Sequence, residues 1–303
     1  MKIYLIPVAT MVTAIALIVP QPWYVVSLWQ NFAFHALWLY LVLAVGALLF
    51  RKKILAQAAG LSFVMILAYL WPYLVRPSSS SVDGADLKVT HFNVLKYSSA
   101  YDKTIKQALK SQADFLSFQE VDPAWVKELE FALTKAYPYQ KVVIDNNPGY
   151  GIAVFSKYPL KQLEVKYWTG IPSITGDIWL ADHTIHFVTA HTKSPVSRSR
   201  FVARNHHLTA MASYLENRKG PVLAVGDFNA VPWDSAIVAL RQKADLQDSR
   251  SGLEPTFPAF SKWGRIPIDY IMHNEQLTCL NFQTIGGTDS DHLGITGAYK
   301  FRD

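Results

Sequence analysis

Acidic residues are missing from the first 80 positions of this 303-residue chain, and cysteine occurs once, as Cys279. A single thiol excludes an intramolecular disulfide framework and leaves the redox compartment open. Set in the apolar stretch LTCLNF, Cys279 reads as packing and not as chemistry. The chain also lacks a basic excess where a nucleic-acid groove would need one. Its formal charge is +6, but Lys2, Arg51, Lys52, Lys53 and Arg76 all precede residue 77, leaving 24 basic against 23 acidic residues beyond them. A polynucleotide binder draws much of its affinity from clustered phosphate contacts. The excess here is a signal of topology.

Three apolar runs, roughly 4 to 20, 32 to 50 and 54 to 75, fill the acid-free stretch. Each is near the ~20 residues that a helix needs to cross ~30 Å of hydrocarbon. The runs predict an all-α transmembrane region of three spans over 1–76, through which the chain partners a lipid bilayer. Lys2 and the Arg51-Lys52-Lys53 turn predict a cytoplasmic N-terminus and an extracytoplasmic segment after the third span. That segment would be periplasmic in a two-membrane bacterium. Arg76 lies on the opposite side of this charge balance. A signal peptide over the first 20 residues fits less well, because Val-Pro-Gln-Pro lacks a small-x-small cleavage pattern and two further runs follow. The polar stretch 77–85 reads as a linker, and 86–303 as one domain.

Beyond the linker, strands are expected at 87–95, 114–119, 140–145, 150–156, 161–167, 174–181, 184–190, 221–226, 266–273, 277–285 and 293–300. Helices are expected at 101–111, 123–136, about 199–217 and from 233, with Asp122-Pro123 suiting a helix start. So many strands exceed an ordinary doubly wound fold, and two packed sheets with helices outside them fit better. Several apolar runs close on polar residues: THFNV, ADFLSFQE, IHFVTAH, VLAVGDFN and IPIDYIM. These residues would collect along one rim of a sheet.

Hydrolysis of a phosphodiester needs positive charge on the phosphate oxygens and an activated water. Glu120, at the end of an apolar strand, is a hard-oxygen ligand suited to Mg²⁺, and Asp291 could complete or neighbour the same site. In Gly226-Asp227-Phe228-Asn229 the glycine frees the turn, and Asp227 and Asn229 can point to one side. Asp227 can orient or deprotonate water, and the Asn229 amide can bind phosphate without charge repulsion. An Asx turn would account for the tetrapeptide equally well. Asp269 is the candidate partner that fixes the tautomer of His292 and favours its charged form; His191 is a second donor.

Asn93, Gln119-Glu120, His191, Gly226-Asp227-Phe228-Asn229, Asp269-Tyr270 and Ser290-Asp291-His292, in that order, resemble the endonuclease/exonuclease/phosphatase superfamily over about 86–300. The resemblance implies a four-layer α/β sandwich, dependence on Mg²⁺ or Mn²⁺, and in-line attack by water on a phosphoester. It implies that Glu120 binds metal, with Asn93 and Asp291 beside it. Asn93 and Asn229 would hold the site and phosphate, Asp227 would align the water, and His191 and His292 would contact phosphate. Gly151 to Leu160 is similar to the family's central strand. The tyrosine and basic DNA-gripping loops of members that cut at abasic sites have no assignable equivalents here.

Arg198, Arg200 and Arg204 start the helix after His191, with Lys193 in the preceding loop, and offer an anion-binding rim; a solvated helix face is the plainer reading. The favoured expectation is a membrane-anchored hydrolase of phosphomonoesters or phosphodiesters with a lipid or lipid-linked substrate. The resemblance includes sphingomyelinase-like and phosphoinositide phosphatase-like branches. The alternative is an extracytoplasmic nuclease acting on DNA or RNA. A catalytically dead scaffold is disfavoured, because every expected reactive position holds a competent residue.

Overall fold

The computed structural model describes residues 2–19, 23–75 and 84–302. Arg76 and most of the expected linker lie outside the described residues. The chain divides into two compact units: Met1–Arg76 with Ala230–Ile237, and Pro77–Asn229 with Val238–Asp303.

The first unit contains α1 (Lys2–Ile18), α2 (Tyr24–Gln30), α3 (Ala33–Leu49) and α4 (Lys53–Leu74). The stretch between the first two apolar runs contains α2, which meets α3 at a bend of 70°. At 1.5 Å per residue, the 17 residues of α1 or α3 rise ~26 Å, short of the ~30 Å of hydrocarbon. Among the described residues only α4, at 22 residues, is long and apolar enough to cross a membrane by itself, or two segments are if the bent α2–α3 pair counts as one. Three full-length spans are therefore not what the helices supply. Their buried seam combines small residues, Ala14, Ala33, Ala44, Ala47, Ala56, Ala59 and Ser62, with Leu17, Leu37, Tyr40, Ile66 and Leu70, while Leu39, Val42, Leu48, Leu49, Leu61 and Val64 point outward. The segment Ala230–Ile237 is part of this unit: the Trp233 indole donates to the Gln30 carbonyl (2.6 Å) and Tyr69 donates to the Trp233 carbonyl (3.1 Å).

The second unit holds two six-stranded mixed sheets. One runs β11 (Leu277–Ile285), β12 (Gly294–Phe301), β1 (Leu87–Asn93), β2 (Phe115–Gln119), β4 (Ile152–Ser156), β3 (Tyr139–Val143). The other runs β5 (Leu160–Trp168), β6 (Ile171–Leu180), β7 (His183–Ala190), β8 (Val222–Asp227), β10 (Asp269–His273), β9 (Gln247–Asp248). The two-residue β9 was not expected from the sequence. Helices α5 (Tyr101–Ser111) and α6 (Pro123–Leu133) cover the outer face of the first sheet, where Ile105, Ala108, Trp125 and Leu129 meet Phe92, Phe118 and Phe155. Helix α7 (Arg198–Leu215) packs on the second sheet, with His207 Nε2 2.9 Å from Ser173 Oγ on β6. Helix α8 (Ser235–Lys243) begins in the first unit and ends in the second. Two packed sheets flanked by helices make an α/β sandwich.

Strand periodicity explains where the polar residues go. Alternate residues share a face. On β1, Leu87 and Val89 enter the core between the sheets, as do Phe115 on β2, Ile185 and Phe187 on β7, Leu223 and Val225 on β8, and Ile271 on β10. Continuing in steps of two toward one end, the same faces present His91 and Asn93, Ser117 and Gln119, Thr189 and His191, Asp227, and Asp269. Burying each large apolar side chain contributes ~1.5–3 kcal/mol. The apolar half of every strand thus fixes the register that brings the polar halves together. They meet between two sheets, with donors from both, and not along one sheet's rim.

Candidate active site

Asn93 ends β1 and sits between the sheets, its Nδ2 donating to Glu120 Oε1 and Asp227 Oδ2, both at 3.2 Å. Its Oδ1 accepts from the Leu95 amide (3.1 Å). Glu120 follows β2 in a left-handed conformation (φ 64°), which costs a non-glycine residue strain and turns the carboxylate toward the cavity. The Lys96 amide donates to its other oxygen (3.1 Å). Gln119 bridges the sheets, donating to the Ala190 carbonyl (2.6 Å) and accepting from the Asp227 amide (2.8 Å). This bridge needs Gly226: at φ 143°, a Cβ there would lie 2.1 Å from the Ala190 oxygen and 2.3 Å from Gln119 Nε2.

Asp227 is buried at the centre. Its Oδ1 accepts the Asn229 amide (2.9 Å), the Asx-type bond that the tetrapeptide allowed. Its Oδ2 lies 3.6 Å from Nε2 of both His191 and His292. Burial pushes the Asp227 carboxyl up to about 6, with Asp269 adding to the rise and the two histidines opposing it. Asp269, paired with Asp227 across β10 and β8, accepts from His292 Nδ1 (2.9 Å) and His91 Nε2 (3.3 Å). Burial alone would raise the Asp269 carboxyl, but the two rings outweigh it and hold it well below the carboxylate range. For His292 burial opposes the charge, and the Asp269, Asp227 and Asp291 carboxylates overcome it, raising the imidazole to about 10. The pairing of His292 with Asp269 expected from the sequence is present.

The other expected residues divide. Asn229 donates through Nδ2 to the Thr192 carbonyl (3.0 Å), so half of its amide is committed to holding the loop. Arg200 lines the cavity, donating to the Tyr150 hydroxyl and the Ser194 carbonyl, both at 2.9 Å. Arg204 differs from the expected rim: it is 1% exposed and donates to the Asn229 carbonyl (3.0 Å). Facing inward on α7, it braces the turn after Asp227 and meets no solvent anion. Arg198 is exposed and does not line the cavity. Sequence reading did not single out His91, Tyr150 or Arg250. The Arg250 guanidinium is buried, donates to the Asp269 carbonyl and to Asp248, and lies 4.1 Å over the Tyr270 ring. His91 could have been found, since it shares the inward face of β1 with Asn93.

The cavity between these groups measures about 240 Å³ and is walled by Glu120, His191, Asp227, Asp291 and His292, with Tyr150 and Phe257 beside the histidines. Ligand atoms of Asp227, Asp269 and His292 lie within 4.8 Å of one another. Both Asp269 oxygens and one nitrogen of His292 are already taken by hydrogen bonds, so this trio is suited to a proton more than to a metal ion. Glu120 and Asp291 also face the cavity and, as hard oxygen donors, suit a divalent cation better. Burial and the nearby Glu120 charge push the Asp291 carboxyl up, against the opposing pull of His292, a repulsion that a cation would relieve.

Comparison with solved structures finds the same fold in proteins of differing chemistry. Residues covering 71% of this chain match 98% of a D. rerio TDP2 complexed with single-strand DNA product, at 17% identity and a TM-score of 0.61. The same share matches 100% of a mannosyl-6-phosphatase from Bacteroides thetaiotaomicron (16%, TM-score 0.59) and 94% of the human Nocturnin catalytic domain with bound sulfate (18%, TM-score 0.57). No curated protein sequence matched this chain. The sequence profile of the Endonuclease/Exonuclease/phosphatase family matches residues 90–292, from the strand that carries Asn93 to His292 itself. With that match over two-thirds of its length, the chain belongs to the endonuclease/exonuclease/phosphatase family and is a phosphoric ester hydrolase.

Proposed function

We propose that this chain is a membrane-anchored, divalent-metal-dependent hydrolase that attacks a phospholipid or lipid-linked phosphoester with water. The observation that carries the chemistry is the convergence of Asn93, Glu120, His191, Asp227, Asp291 and His292 on one cavity. Glu120 and Asp291, with Asn93 beside them, would hold Mg²⁺ or Mn²⁺. When bound, such an ion withdraws charge from phosphate oxygens and lowers the cost of attack.

The chain's own groups account for the rest. Asp227 takes a proton from the attacking water as the new P–O bond forms and the bond to the leaving oxygen breaks. Its raised carboxyl makes it a better base than an exposed aspartate. His292, kept protonated by Asp269, donates to a phosphate oxygen, and His191 presents Nε2 from the end of β7, the strand beside that of Asp227. Asn93 holds Glu120 and Asp227 apart at a fixed spacing, and Asn229 offers its remaining amide hydrogen to phosphate. Arg200 supplies positive charge at the wall.

Membrane anchoring rests on the first unit: its helices carry no acidic side chain and turn large apolar residues outward, an arrangement that water would penalise. The basic turn at Arg51 to Lys53, at the start of α4, supports a cytoplasmic side there and an extracytoplasmic catalytic domain after α4. The near-equal charge of the domain favours a single phosphate headgroup over a polynucleotide.

The test is headgroup or phosphate release from phospholipid vesicles by the full-length protein in Mg²⁺, beside plasmid nicking in the same buffer, with Asp227→Ala as the blank. Lipid turnover that vanishes in the variant is the expected outcome. Nicking without lipid turnover would replace the lipid reading with a nuclease.

A further inference from the structure

Exposed apolar side chains recur on three loops that line the cavity mouth. The loop after β1 gives Lys96 to the cavity wall and exposes Tyr97; the loop before α7 gives Ser194 and exposes Val196. The third, 255–267, gives Phe257 and exposes Phe260 (84%) and Trp263 (92%). Single exposed hydrophobics are ordinary. Four on the loops that line one cavity, three of them aromatic, call for a cause.

The third loop is built to hold its aromatics out. Phe257 and Ile266 form a β-bridge at its base, the Ala259 amide donates to the Asp291 carbonyl (2.6 Å), and the Ser261 amide donates to the Pro258 carbonyl (3.2 Å). Arg265 donates to the carbonyls of Pro258 (3.2 Å) and Ala259, clamping the tip from within. The Phe257 ring lies 4.8 Å from the His292 ring, so the loop is joined to the reactive centre at Asp291 and His292. Charge is equally one-sided: positions 94–100, 193–200 and 255–267 contain Lys96, Lys193, Arg198, Arg200, Lys262 and Arg265 and no acidic residue. The whole segment after Arg76 is nearly balanced, so these three loops are more basic than the domain at large, while the loop that gives Pro148 to Tyr150 carries Asp145 and no basic residue. Asp289, on a neighbouring loop, is paired with Lys103.

We infer that the Phe260–Trp263 tip, with Tyr97 and Val196, is a membrane-docking surface that seats the cavity mouth on an anionic bilayer, so that the substrate phosphate enters from the headgroup layer. Aromatic rings favour the headgroup level of a bilayer, and basic side chains beside them add attraction to anionic lipid. Base stacking by the same rings would need a basic groove to track a polynucleotide backbone. The single-stranded DNA comparison in the test below separates that occupant from a bilayer. This inference rests on the phosphoesterase reading for the identity of the substrate, and the surface itself can be tested without turnover.

The experiment uses the full chain in liposomes of phosphatidylcholine and phosphatidylglycerol. A nitroxide at position 263 (Trp263→Cys, Cys279→Ala) is compared with one at position 131 (Phe131→Cys, Cys279→Ala), an equally exposed aromatic on α6. The 263 label should favour collisions with oxygen over a water-soluble nickel chelate, and the 131 label the reverse. Matching aqueous behaviour at both would overturn the docking surface. In the same liposomes Phe260→Ser/Trp263→Ser should cut phospholipid turnover by about tenfold or more and leave hydrolysis of soluble bis(p-nitrophenyl) phosphate unchanged. Equal losses on both substrates, or a loss confined to cleavage of single-stranded DNA, would overturn it too. A wild type inert toward every phosphoester defeats the catalytic reading, while the nitroxide pair still decides the surface.

Discussion

His292 and Asp269 form a buried pair, Nδ1 to Oδ2 at 2.9 Å, and Asp269 accepts a second ring, His91, on its other oxygen. One carboxylate therefore fixes the orientation of two imidazoles and keeps the nearer one charged. Asp269→Asn removes the charge that sustains the His292 proton and leaves a similar volume. Turnover should fall by roughly a hundredfold or more with the circular dichroism spectrum unchanged. A loss below about threefold would mean that His292 does not act as a cation.

Glu120 reaches the cavity only because its backbone adopts φ 64°. Glu120→Gln keeps the shape and one of the two hydrogen bonds that Asn93 and Lys96 donate, and replaces the other charged oxygen with an amide nitrogen that cannot accept or ligate. The Mg²⁺ concentration for half-maximal activity should rise about tenfold or more, with activity partly regained at high metal. An unchanged Mg²⁺ titration would remove Glu120 from the cation site.

Gly226 is the residue at which a methyl group would collide with two partners of the inter-sheet bridge. Gly226→Ala should destabilise the domain by on the order of 3 kcal/mol, read as a lower thermal midpoint, and displace Asp227 at the same time. A midpoint within about 1 °C of wild type would show that the bridge yields easily.

His207 is buried between α7 and β6, and burial pulls its imidazole down to about 3, with His191 and Lys193 adding to the fall. In an unfolded chain the ring titrates near ~6.5. Between those values the unfolded state binds the proton and the native state does not. The stability that the neutral ring contributes is thus present above ~pH 6.5 and lost as pH falls toward 3. His207→Gln retains a partner for Ser173 and cannot titrate. The drop in thermal midpoint from pH 7 to pH 5 should be smaller in this variant, and equal drops would refute the assignment.

The sequence determined by itself every strand but the two-residue β9, the order of polar residues that close them, and the family. Strand alternation and apolar runs are local properties, and THFNV or VLAVGDFN carries its buried half and its polar end in adjacent residues. It also set the acid-free apolar stretch, although three runs of near-spanning length became helices of 17, 17 and 22 residues with a short bent helix between. Apolar composition measures hydrophobicity, whereas a bend depends on how neighbouring helices pack. Only the tertiary structure decided that the polar ends come from two sheets facing one another. It also decided that Gln119 bridges them and that Arg204 turns inward to brace Asn229 while Arg200, one helical turn earlier, stays at the cavity. Spacing along α7 places both arginines on one helix face. Which of them meets solvent depends on the sheet packed against that face, and this contact between distant residues has no local signature.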